Sequence, residues 1–162
     1  MRAAILTIST SVAKGTTTDE SGLRLAELTR AAGAEVIDQG VVPDDQEQIE
    51  RWLRAHAEQG TDLVLTTGGT GLTPDDVTPE ATLAVIDRHA PGFAEAMRAQ
   101  SLKYTPLGIL TRGVSGIARS TLIINFPGNP KAITQLFPVI EPTLEHAVAT
   151  LKREGGRRTP GH

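Results

Sequence analysis

The sequence predicts an α/β domain whose mostly parallel sheet is covered by helices on both faces. Two observations carry this. Short aliphatic and β-branched runs alternate with longer stretches of helical period along nearly all of the 162 residues, the pattern of strand–helix–strand units joined by right-handed crossovers. The first of these runs is mostly apolar at consecutive rather than alternate positions, as a strand buried on both faces requires. No internal repeat or linker breaks the pattern, so one domain is predicted over 1–154. A flexible Gly/Arg/Pro-rich tail is predicted at 155–162.

Ala3 to Ser9 reads as the first strand and Thr10 to Thr18 as a polar loop. Thr17 and Glu20 have capping-box spacing, which predicts a helix from there to Gly33, a good C′ residue. Leu25, Leu28 and Ala32 share one face of it. Glu35 to Val42 is the second strand. Pro43-Asp44-Asp45 then opens a helix through Ile49, Trp52, Leu53 and His56 that closes at Gly60. Asp62 to Thr67 is the third strand. Thr78 as N-cap with Pro79 at the first helical position starts a helix toward Arg88, and a further helix is predicted over Gly92 to Lys103. Leu107 to Ala118, broken by Gly108, Gly113 and Gly116, fits neither period. Ser120 to Phe126 is the fourth strand. After it, Lys131 to Phe137 is expected to stop at Pro138, with a last helix over Val139 to Arg153 carrying Pro142 in its first turn.

The net charge is −3 and no basic block is present, which argues against a nucleic-acid partner. One Trp, one Tyr and three Phe make no base-stacking platform. The absence of cysteine excludes disulfides, thiolate metal sites and a cysteine nucleophile. The short apolar run at Met1 to Ser9 lacks the length of a signal peptide. No window approaches the roughly 18 apolar residues of a membrane span. A cytoplasmic protein without membrane attachment is expected. His56, His89, His146 and His162 have no metal-ligand spacing, and no G-x-S-x-G marks a serine nucleophile.

Open α/β sheets bind ligands at the carboxyl edge of their strands. Three loops converge there, 9–18, 67–77 and 126–131, with Asp44 and Asp45 on a fourth. Thr66-Thr67-Gly68-Gly69-Thr70-Gly71 offers hydroxyl and backbone donors that suit an anion. It is neither a P-loop nor a dinucleotide fingerprint, and a tight turn without a ligand is the other reading. Asp44, Asp45, Asp75 and Asp76 adjoin helix starts, where helix-dipole complementation explains any one of them. Two such pairs beside the glycine loop also suit Mg²⁺, which takes one or two carboxylates plus phosphate oxygens. The turn Pro127-Gly128-Asn129-Pro130 with Lys131 could hold a phosphate or carboxylate, or be an ordinary strand-to-helix turn with a solvated lysine. Arg112 and Arg119 could grip a second anion, although single arginines are mostly solvated surface.

Several linked motifs then resemble one family. They are Thr66 to Gly71, Asp76-Val77-Thr78-Pro79-Glu80-Ala81-Thr82, Pro91-Gly92-Phe93, and Leu122 to Ala132 through Asn125-Phe126-Pro127-Gly128-Asn129-Pro130-Lys131. In this order they look like the MoaB/Mog family of molybdenum-cofactor biosynthesis, over roughly residues 2 to 153. The resemblance implies a three-layer α/β sandwich, assembled as a homotrimer or hexamer. It implies Mg-ATP-dependent adenylylation of molybdopterin with release of pyrophosphate, followed by hand-over to a molybdate-inserting enzyme. Asp44 and Asp76 match the two aspartates linked to catalysis in that family and are expected to hold Mg²⁺. Thr67, Gly68, Gly69, Thr70 and Gly71 are expected to seat the nucleotide, with Pro127, Gly128, Asn129 and Pro130 as its other wall. Ser9, Lys14, Arg112 and Lys131 are the candidates for molybdopterin contacts. Two positions depart from the resemblance: Thr10, where many members carry Asp, and Asp75, where many carry a basic residue. The alternative function is a molybdopterin carrier of the same fold without turnover.

Overall fold

Every residue of β1 (Arg2–Ile8) from Ala3 onward is buried, and that strand organises the sheet. The computed structural model describes residues 1–153; the predicted tail, 155–162, lies outside the described residues. The elements in order are β1, α1 (Thr10–Ala13), α2 (Glu20–Ala31), β2 (Glu35–Val42), α3 (Gln46–Gln59), β3 (Leu63–Thr67) and α4 (Thr78–Val85). They continue with β4 (Arg88–His89), α5 (Gly92–Ser101), a 3-10 turn (Pro106–Leu110), β5 (Ser115–Ala118), β6 (Thr121–Phe126) and α6 (Pro130–Leu151). The sheet order is β2-β1-β3-β6-β5-β4. β2, β1, β3 and β6 are parallel, and β5 and β4 extend the sheet antiparallel.

Strand period sorts the core into two layers. Ala3 and Ile5 of β1, Leu63 and Leu65 of β3, and Leu122, Ile124 and Phe126 of β6 pack under α2, α5 and α6. The alternate residues Ala4, Leu6, Ile8, Val64 and Ile123 pack against Ile49, Leu53 and Ala57 of α3 and Ala81 of α4. This is the three-layer sandwich the sequence predicts. One buried polar side chain ties the layers together. Asn125 donates to Thr66 Oγ1 and Thr82 Oγ1, each at 3.0 Å, and accepts the Val114 N–H at 3.1 Å.

Several local expectations are corrected. The loop 10–18 contains α1, capped by Ser9, whose Oγ accepts the Val12 N–H. The cap of α2 is Asp19, which accepts the Gly22 N–H at 2.9 Å, while Thr17 donates its hydroxyl to Ser11. A charged acceptor makes the stronger cap bond. The N-cap of α4 is Val77, so Thr78 is the first helical residue and its hydroxyl is free for another task. That helix ends at Val85, and Arg88–His89 form the edge strand β4. The stretch of undecided period resolves into the 3-10 turn and β5, joined to β6 by a tight turn at Arg119, whose φ is +55°.

α6 runs unbroken through Pro138 and Pro142. Ile133, Leu136, Phe137, Ile140, Leu144 and Val148 form one buried stripe along it. Burying that stripe outweighs the roughly 3 kcal/mol each interior proline costs. Both prolines face solvent, where water can serve the carbonyls left without an N–H partner.

At the amino-terminal edge of the sheet, Asp62 accepts the Arg2 N–H at 2.7 Å and pairs with Lys152 at 2.9 Å. Burial alone would raise this carboxyl. The Arg2 N–H, the Lys152 ammonium and the N-terminal charge together hold it below the ordinary carboxylate range. A carboxyl depressed in the folded state stabilises above its unfolded value, about pH 3.9, and loses that stabilisation as pH falls through the folded value. Asp62→Asn is expected to cost about 1–3 kcal/mol at pH 7, with the difference from the parent shrinking below pH ~4. Chemical denaturation at several pH values checks this.

Candidate functional site

The parallel register brings three strand ends to one level. Thr7 of β1 pairs with Thr67 of β3, and Thr67 pairs with Phe126 of β6. The loops leaving them therefore start side by side. Gly68 has φ +99°, donates its N–H to Phe126 O at 3.2 Å, and lies so close to the Ile8 carbonyl that a Cβ would collide with it. Gly128 packs on the other side, where a Cβ would come within 3.1 Å of Gly68 Cα. Only glycine fits this junction.

The carbonyls of the glycine loop all turn back into the protein. Gly68 O accepts the buried Thr78 hydroxyl at 2.8 Å and Gly69 O the Thr78 N–H at 3.1 Å. Thr70 O accepts the Arg112 N–H and Gly71 O the Arg112 Nε–H, both at 2.8 Å. The N–H groups of Gly69, Thr70 and Gly71 donate to no acceptor among the described residues. Oxygens tied down and N–H groups left free make a local anion cradle.

A cleft of about 400 Å³ opens between this loop and the segment after β1. Ser9, Asp44, Thr67, Gly68, Gly69, Asp76, Gly128 and Pro130 line it, so candidates from four loops meet there. Thr70, Gly71, Pro127 and Asn129 line a shallower depression of about 400 Å³ across the same loop, which Asp76 also borders. Asp44 and Asp76 are both half-buried. Asp44 Oδ2 accepts from Thr10 N at 3.2 Å and Thr10 Oγ1 at 2.9 Å. Asp76 Oδ2 accepts from Thr73 N at 3.0 Å and Thr73 Oγ1 at 2.9 Å.

Other candidates lie apart. Lys14 ends α1 and Lys131 sits in the first turn of α6; both are exposed and neither lines the cleft. Arg112 faces the back of the loop. Its Nε holds Gly71 O, its Nη2 holds Asp76 O at 2.8 Å, and its Nη1 straddles the Glu80 carboxylate at 2.9 and 3.0 Å. Glu80, and less strongly Asp76, hold the guanidinium further above its already high value. Its donors are thus committed to shaping the loop. Arg119 sits in the hairpin turn, with its N–H on Asp87. Asp45 caps α3 by accepting the Gln48 N–H at 3.1 Å, the dipole-complementing alternative. Asp75 is exposed and outside the cleft lining.

Sequence reasoning missed Asp19 and Glu20 on the cleft wall and the hydroxyls of Thr10, Thr73 and Thr78. The Thr10–Asp44 pair spans 34 positions and leaves no local signal. Among the described residues, the cleft lining includes Asp19, Glu20, Asp44 and Asp76 but no Lys or Arg. Among the described residues, no three His, Cys, Asp or Glu side chains are grouped so as to hold a metal unaided. A hard cation there would take oxygen ligands from Asp44 and Asp76 and the remainder from water and substrate phosphates, a donor set that fits Mg²⁺.

Residues 4–146 match the family model described as probable molybdopterin binding domain. The chain is 39% identical over 147 residues to a Helicobacter pylori (strain J99) protein named molybdopterin adenylyltransferase, a match covering 89% of this chain and 84% of that one. A Haemophilus influenzae protein of the same name is 54% identical over 96 residues, 59% of this chain and 49% of the relative, so the match spans about half of that relative's length. Among solved structures, the molybdopterin biosynthesis enzyme MoaB of Thermus thermophilus superposes with a TM-score of 0.87 at 42% identity, covering 93% of this chain and 95% of that one.

Arg112→Met keeps the aliphatic stem and removes the clamp. Amide hydrogen exchange is expected to quicken about tenfold or more over residues 69–80, with the β1 amides unchanged. Equal exchange over the loop would show that something else holds it.

Proposed function

The chain belongs to the MoaB/Mog family, and from that membership we propose that it adenylylates molybdopterin, using Mg-ATP and releasing pyrophosphate. The observation that supports this best is a glycine loop whose Gly69, Thr70 and Gly71 N–H groups have no acceptor among the described residues, with Gly69 lining the cleft that holds Asp44 and Asp76 and Thr70 and Gly71 lining the adjoining depression that Asp76 also borders. The N–H groups of Gly69, Thr70 and Gly71 suit the nucleotide phosphates, and Thr67, Gly68 and the 127–130 turn form the walls of the seat. Asp44 and Asp76 would hold Mg²⁺, which when bound supplies the charge neutralisation and Lewis acidity of phosphoryl chemistry.

In the reaction, a terminal phosphate oxygen of molybdopterin bonds to the α-phosphorus of ATP. The bond from that phosphorus to the bridging oxygen breaks, and its electron pair leaves with pyrophosphate. The attacking oxygen is already anionic, so no histidine or cysteine base is needed. The protein's task is to align two polyanions and fix their charge. Ser9 is the molybdopterin candidate that lines the cleft; Lys14 and Lys131 stand outside it and would serve approach rather than seating. The mixed anhydride formed would pass to a molybdate-inserting enzyme. A homotrimer belongs to this reading: Leu107, Ile109 and Leu110 are exposed on the 3-10 turn and offer apolar surface for an assembly to cover.

The acidic, lysine-free cleft also favours a second reading, a molybdopterin carrier without turnover. Pyrophosphate release from Mg-ATP in the presence of molybdopterin separates the two. Under the enzymatic reading, Asp44→Asn and Asp76→Asn each lower AMP transfer by about a hundredfold or more while circular dichroism stays that of the parent. Near-parent rates in both variants would overturn the assignment.

A further inference from the structure

We propose that Thr10 and Thr73 are positioning residues that lock one oxygen of Asp44 and of Asp76 and so present the other, Oδ1, as a monodentate ligand to the metal–nucleotide complex. This rests on the nucleotidyl-transfer reading of the cleft.

The two aspartates come from different loops, yet each Oδ2 is held in the same way. In each, Oδ2 accepts both the N–H and the hydroxyl of a single threonine. In each, the aspartate's own N–H returns to that threonine: Asp44 N–H to Thr10 Oγ1 at 3.1 Å, and Asp76 N–H to Thr73 O at 3.0 Å. Each pair is a closed, reciprocal clasp. It fixes the carboxylate's rotation about its last torsion, which otherwise is broad and soft. No donor among the described residues reaches Oδ1 of either aspartate. Asp44 Oδ1 faces the glycine loop, 3.4 Å from where a Cβ on Gly69 would stand, whereas at Asp76 the clasped Oδ2 is the oxygen nearest the loop, 2.8 Å from where a Cβ on Gly71 would stand.

The contrast with Asp19 makes the pattern selective. Asp19 lines the same cleft, but both of its oxygens are occupied, Oδ2 by the Thr7 hydroxyl and Oδ1 by the Gly22 N–H. Asp19 therefore shapes the wall and caps α2. Asp44 and Asp76 alone among these three keep a free oxygen. An oxygen that already accepts two hydrogen bonds has its lone pairs engaged and is a poor metal ligand, so each carboxylate would contribute one ligand atom, Oδ1. Substrate phosphates and water would supply the remaining ligands.

The clasps are tested on the full chain with Mn²⁺ and α,β-methylene-ATP, by calorimetry and by paramagnetic resonance of the bound Mn²⁺. Thr10→Val and Thr73→Val each remove a charge-assisted hydroxyl bond and are expected to weaken Mn²⁺–nucleotide binding about tenfold. Thr10→Ser and Thr73→Ser restore it to within about twofold. In the AMP-transfer assay, the valine variants raise the half-saturating Mg²⁺ concentration about tenfold and lower the rate at saturating Mg²⁺ by less than about threefold. Valine variants that bind like the parent overturn the proposal. So do serine variants as weak as valine, since the hydroxyl would then not be the acting group. A parent chain that binds the Mn²⁺–nucleotide but transfers no AMP overturns the enzymatic reading and leaves the clasps standing. A parent chain that binds no Mn²⁺–nucleotide overturns both.

Discussion

Gly68 is wedged between the Ile8 carbonyl and Gly128, and the rest of the site depends on that close approach. It brings the ends of β1, β3 and β6 within backbone reach of one another. With a Cβ at this point, the loops after β3 and β6 would be forced away from β1. The cleft that Asp44 and Asp76 share would then lose its floor. The left-handed backbone of Gly68 and Gly69 (φ +67° at Gly69) turns the chain out of the strand. Thr78 and Arg112 then fasten its carbonyls. A strand end, a helix start and a distant arginine thus cooperate to leave three N–H groups without an acceptor among the described residues.

The charge arrangement follows from the same economy of parts. Among the described residues, the cleft carries carboxylates, and the positive character it offers an anion comes from backbone N–H groups rather than side-chain cations. Backbone dipoles are fixed by the fold and cannot swing away as lysines do. The arginine nearest the loop serves its geometry. At the opposite edge of the sheet, Asp62 and Lys152 join the start of the chain to the end of α6, away from the chemistry.

The sheet's centre was legible because parallel strands buried on both faces read as continuous apolar runs, as in Ala3 to Ile8 and Leu122 to Ile124. β4 and β5 were not, because two- and four-residue strands with glycine and exposed charges carry no period. Proline at 138 and 142 argued for a broken helix, but the buried stripe, which depends on α6 lying against the sheet, decided for a continuous one. The placement of the glycine loop and both aspartates at the carboxyl edge of the sheet was legible from motif order. The partners of those aspartates were only partly so: Thr73 stands three residues from Asp76, but Thr10 meets Asp44 only after β1 and β2 pair. Arg112 was read as a ligand contact because sequence reveals its charge and not the direction in which it points.

The strand order β2-β1-β3-β6-β5-β4 places β6, which arrives late in the chain, beside β3, which arrives early. During synthesis on the ribosome, β3 therefore emerges with one flank bare until Thr121–Phe126 follows. Leu63, Val64 and Leu65 lie along that open flank, and an unpaired apolar strand edge invites pairing with other chains. Truncation before β6 would leave a nascent fragment prone to aggregate and a natural client for chaperones. The β3–β6 pairing that builds the cleft is also what makes the finished chain safe from itself.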